Sequence, residues 1–79
     1  MNAKYVVVNY PMVGETMFIF PDYVKHKNFS MDIGHTVVSA GFVTLRDGEL
    51  YCYGESVGLH IQARPEEDGI LANMMFRRK

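Results

Sequence analysis

The stretch GFVTLRDGELYCYG, residues 41–54, sets an Asp-Gly pair between two runs in which apolar and polar residues alternate. Such a pair is among the strongest local signals for a β-hairpin with a two-residue turn, because both central residues of that turn need positive φ. The turn sets the register. Arg46 faces Glu49, the pairs Leu45–Leu50, Thr44–Tyr51, Val43–Cys52 and Phe42–Tyr53 follow, and Gly41 comes opposite Gly54. The two strands are expected over residues 36–46 and from 49 to about 61. Alternation sorts the hairpin into two faces. Leu45, Leu50, Val43, Cys52, Gly41, Gly54, Ser39 and Ser56 share one face, whose side chains become small away from the turn and suit the close approach of a helix. Arg46, Glu49, Thr44, Tyr51, Phe42, Tyr53, Ala40 and Glu55 share the other.

Working outward, Tyr5-Val6-Val7-Val8 is a β-branched run that reads as an inner strand with both faces covered. Thr16 to Phe20 reads as a second strand, ended by Pro21. Pro21-Asp22 suits the opening of a short helix running to about Phe29, with Tyr23, Val24 and Phe29 as its apolar contacts and Gly34 ending the segment. Arg64-Pro65-Glu66-Glu67-Asp68 marks a further helix start, with the three acids complementing the helix dipole. Ile70, Leu71, Met74 and Met75 recur at helical spacing and are expected to face the sheet. Arg77-Arg78-Lys79 suits a helix C-terminus. The order is β-β-(α)-β-β-α: a single α+β domain over residues 1–79, with an antiparallel sheet of about four strands and one or two helices. Val6, Val8, Ile19, Val43, Leu45, Leu50, Ile70, Leu71 and Met74 are the expected core.

Composition narrows the function. A net charge of −1 supplies no basic field to attract nucleic acid. One cysteine, Cys52, permits no internal disulfide, which fits a reducing, cytoplasmic setting. Cys52 falls on the expected core face and reads as an inert buried thiol. The apolar run at Tyr5–Val8 is far too short for a signal-peptide core or a membrane span. His26, His35 and His60 lie far apart, without the close pairing of His and Cys that zinc sites carry; a site from His26, Asp32 and His35 would need a loop to converge them. The glycines form no phosphate-binding signature, and neither Ser39 nor Ser56 stands in a nucleophile elbow. No catalytic set, metal or cofactor is expected, and the chain reads as a protein other than an enzyme.

What remains is the second hairpin face. Phe42, Arg46, Tyr51 and Tyr53 gather there, and aromatic residues and arginine are enriched at binding hot spots. They are the candidate partner-binding residues. Cross-strand packing explains the same residues in another way, as does a reversal of the two faces. The stretches VVVNYP and CYGES…ARPEEDGIL resemble those of small accessory proteins of tailed phages and prophages. That resemblance implies a phage-encoded protein that binds a host protein or counters host defence, and it assigns no site residue. The leading expectation is a non-catalytic protein-binding module. The alternatives are a structural protein that self-assembles, as a homodimer or a virion component, and an RNA or single-stranded DNA binder.

Overall fold

The computed structural model describes residues 2–26 and 36–76. Strands β1 (Asn2–Tyr10), β2 (Gly14–Pro21), β3 (Val37–Arg46) and β4 (Glu49–Tyr53) form an antiparallel sheet in the order β2-β1-β3-β4. Two short strands, β5 (Glu55–Ser56) and β6 (Ile61–Gln62), pair with each other and lie against β3. Helix α1 (Pro65–Phe76) packs on the sheet, chiefly over β4. The fold is α+β. Among the described residues no helix is long and apolar enough to cross a membrane.

β1 runs between β2 and β3, so its side chains are taken up on both faces. Tyr5, Val6, Val7 and Val8 are all fully buried. Tyr5 and Val7 join Met17, Val43, Cys52 and Ala72 in the core under α1. Val6 and Val8 join Phe20 and Ala40 on the opposite face, where Val24, Leu59 and Ile61 pack against them. Between Val7 and Val8 the register against β3 shifts, an irregularity of the bulge type.

The hairpin of β3 and β4 has the register read from its turn: Arg46–Glu49, Leu45–Leu50, Thr44–Tyr51, Val43–Cys52 and Phe42–Tyr53. Asp47 and Gly48 both take positive φ, 53° and 82°. The ladder stops after Tyr53, short of the expected end near residue 61 and of the expected Gly41–Gly54 pair. Gly41 is the place where the two chains cross. A Cβ there would lie 2.5 Å from the Tyr53 carbonyl oxygen and 3.1 Å from Ala63 Cβ. β4 leaves β3 at Gly54, and the β5–β6 pair takes its place.

Four residues expected in the core lie outside it. Leu45 is 59% exposed because the hairpin tip projects past the part of the sheet that α1 covers. Ile19 lies on the outer strand β2 and is exposed. Ile70 and Met74, 60% and 72% exposed, sit on the outer side of α1. The helix carries apolar residues on both sides, and its sheet-facing side is Asp68, Leu71, Ala72 and Met75. The short helix expected from Pro21 begins instead as strand end and turn: Pro21 closes β2, and Val24 N–H donates to its carbonyl. The rest of that stretch, with Phe29 and Gly34, lies outside the described residues, as do Asp32, His35 and Arg77-Arg78-Lys79.

Candidate functional site

The aromatic face of the hairpin grows out of its register. Phe42 and Tyr53 are paired across the strands and stack, with ring centroids 5.7 Å apart and an interplanar angle of 27°. The Arg46 guanidinium carbon stands 5.1 Å from the centre of the Tyr51 ring, a cation–π contact. Each tyrosine is thus held by one neighbour. Tyr51 remains 43% and Tyr53 39% exposed. Phe42 is half-buried, because His26 stands edge-on to it at 5.8 Å. The structure therefore brings all four candidate residues together in two contacts, one leading inward through Phe42 and one open to solvent.

His26 is anchored from below. Its Nε2–H donates to the Gly41 carbonyl at 2.8 Å, and Phe20 meets it edge-on at 5.5 Å. Burial holds its pKa below the ordinary histidine value. It acts as a neutral wedge that closes the inner side of the aromatic face. A shallow pocket of about 450 Å³ opens beside it, between Phe42, Lys4 and Lys25 on one side and the residue 55–58 turn on the other.

Sequence reasoning missed the second polar feature, a knot under α1. Asp68 is fully buried. Its Oδ1 accepts from Ser39 Oγ at 2.9 Å and from Arg64 Nη2 and Nε at 2.9 and 3.1 Å. Its Oδ2 accepts from the Tyr5 hydroxyl and from the Arg64 backbone N–H at 2.8 Å. That last bond caps the helix in the manner of a capping box, from one residue further in. Arg64 reaches on to Glu15 of β2 in a bidentate pair at 2.7 and 3.0 Å, which holds the Glu15 carboxyl below its ordinary range. Burial and the adjacent Asp68 raise the Tyr5 hydroxyl well above the usual tyrosine value. Burial, then the charge of Asp68, pushes the Cys52 thiol up to about 12. A thiol so placed is a poor nucleophile. Among the described residues every buried side-chain nitrogen and oxygen has a partner. The knot ties α1 through Asp68 to Tyr5 of β1 and Ser39 of β3, and through Arg64 to Glu15 of β2, and so docks the helix on the sheet. The only legible sign of it is an acid in the fourth place of a Pro-Glu-Glu-Asp helix start, a position equally explained by the helix dipole.

Among the described residues no three His, Cys, Asp or Glu side chains group as metal ligands would. Ser39 is committed to Asp68, and Ser56 accepts from the Leu59 N–H. No family model, curated protein or solved structure matches the chain.

Proposed function

We propose that this protein is a non-catalytic binding module that docks a protein partner on the hairpin face formed by Tyr51, Tyr53, Arg46 and the outer edge of Phe42. The supporting observation is the pair of tyrosines that stay about two-fifths exposed while each is steadied by a neighbour, Arg46 for one and Phe42 for the other. Pre-positioned tyrosines bury a large area on binding at low entropic cost, and interface hot spots are built this way. On the resemblance to phage accessory proteins, the partner is a host protein. The test is capture from a host lysate by immobilised wild-type protein, followed by affinity measurement on the captured partner. Changing Tyr51→Ser and Tyr53→Ser together should lower that affinity by about 2 kcal/mol or more. Equal capture by both proteins would remove this face from the function.

A further inference from the structure

Lys4 carries a charge in the middle of the sheet. β1 runs between β2 and β3, and the register sets Lys4 between Phe20 on one side and Phe42 on the other. It is half-buried, while Lys25 is exposed. Both lysines line the pocket of about 450 Å³ beside His26, together with Phe42, Val57 and Glu55.

We propose that this pocket binds a single carboxylate carried on an aromatic or apolar body, with Lys4 and Lys25 as its cations and Phe42 and Val57 as its apolar walls. The first support is charge. Among the described residues the ion pairs are those of Arg64 with Glu15 and Asp68, and neither Lys4 nor Lys25 takes part in one. His26 adds no positive charge near neutral pH, because burial lowers its pKa and the Lys4 charge lowers it further against the opposing pull of the Gly41 carbonyl. Its Nε2–H is also spent on that carbonyl. Two ammoniums therefore stand against one carboxylate, Glu55, which leaves the walls one positive charge in excess. That excess matches a monoanion, whereas a phosphate dianion overshoots it and adds repulsion from Glu55.

The second support is the position of Lys4 itself. By alternation it shares a face with Val6, and an apolar residue there would extend the cluster of Val6, Phe20 and Ala40. An ammonium in its place carries a desolvation cost that a bound carboxylate offsets. The third is the preformed wall. The Phe42 ring is steadied by Tyr53, stacked at 5.7 Å, and by His26, edge-on at 5.8 Å. Val57, 73% exposed, stands on the turn across the pocket from it. A few placed charges on a preformed apolar wall are what a small-ligand site requires. The pocket adjoins the tyrosine face through Phe42, but it does not rest on that face binding a partner.

The test is titration of the isotope-labelled full chain, followed by NMR at about pH 7.5, with N-acetylphenylalanine as the probe. Saturable shifts at Lys4, Lys25, His26 and Phe42 are expected, with a Kd of about 1 mM. N-acetylphenylalanine amide keeps the ring and lacks the charge, and phenyl phosphate is a dianion at this pH; each should bind about fivefold more weakly or worse. Lys4→Gln and Lys25→Gln should each weaken binding of the acid about threefold or more, Glu55→Gln should tighten it, and added salt should weaken it. Tyr51→Ser should leave it unchanged, which separates this site from the partner face. The blocked dipeptide acetyl-phenylalanyl-aspartyl-amide tells the two sources of a carboxylate apart. Binding at least as tight as that of the acid assigns the pocket to an acidic side chain of a partner, and weaker binding assigns it to a free carboxylic acid. Absence of saturable shifts up to about 20 mM probe overturns the proposal. So does an amide or a phosphate that binds as tightly as the acid, or a pair of lysine variants that bind it as wild type does.

Discussion

Five donors converge on the two oxygens of Asp68, from Tyr5, Ser39 and Arg64. Removing the carboxyl leaves them buried without an acceptor, and the expected cost is large because desolvated groups lose their only partner. Asp68→Ala should lose about 3–5 kcal/mol in urea melts, with Glu66→Ala, exposed in the same turn, changing little. The same knot sets the alkaline limit. The folded-state pKa values of Tyr5 and Cys52 both lie above those of the unfolded chain. Their contribution is therefore complete below about pH 9 and is lost as pH rises past that, since the unfolded chain releases protons the folded one retains. Tyr5→Phe should flatten the stability profile between about pH 10 and 11. Thiol reagents should label Cys52 of the native protein slowly and of the urea-unfolded protein at once. On the acid side the depressed His26 gives the opposite sign. Its contribution is present above about pH 6.5 and declines as pH falls below that, as the unfolded chain takes up a proton first. His26→Gln, with the Gly41 carbonyl still within reach of a donor, should remove that acid slope in melts run from pH 7 to pH 5.

At the scale of elements, the hairpin and the helix differ in how openly the sequence displays them. Asp47-Gly48 dictates a turn of fixed length, and a turn of fixed length dictates every pair up to Phe42–Tyr53. Gly48→Val should cost about 1–3 kcal/mol through its positive φ alone, since nothing stands within 4 Å of its Cβ position. Gly41→Ala acts through sterics, because its Cβ would be driven against the Tyr53 carbonyl. A loss of about 1–3 kcal/mol is expected there too, read in the same denaturant series. Where the hairpin ends was not legible, because that depends on the crossing of β4 over Gly41 and on the packing of Ala63, a residue distant in sequence. α1 begins at Pro65 as the Pro-acid signal indicates. Its rotation was not legible, because apolar residues occupy both sides and the deciding contact is a polar one, Asp68 with Tyr5 and Ser39, whose partners lie 63 and 29 residues away. A reading based on hydrophobic periodicity ranks Ile70 and Met74 as core and has no means of ranking an aspartate there.

For the molecule as a whole, the sheet is covered unequally. Among the described residues, α1 closes one face, the β5–β6 pair and the His26 wedge close part of the other, and the end that carries Tyr51, Tyr53 and Arg46 stays partly exposed. The four aromatic-face residues could be grouped from the sequence because one turn fixes their register. How far the 21–26 segment covers them could not, since it rests on long-range contacts: the His26 bond to the Gly41 carbonyl, its edge-on contact with Phe42 and the packing of Val24. The central claim is that the fold does not need the two tyrosines, which are spare for recognition. The most direct measurement is the unfolding free energy of the Tyr51→Ser, Tyr53→Ser protein in guanidinium chloride, with Phe42→Ser as the half-buried comparison. The account predicts a double variant within about 1 kcal/mol of wild type and a larger loss for Phe42→Ser. A double variant that loses about 3 kcal/mol or more, as truncation of buried aromatics does, would make the tyrosines part of the core and contradict the account.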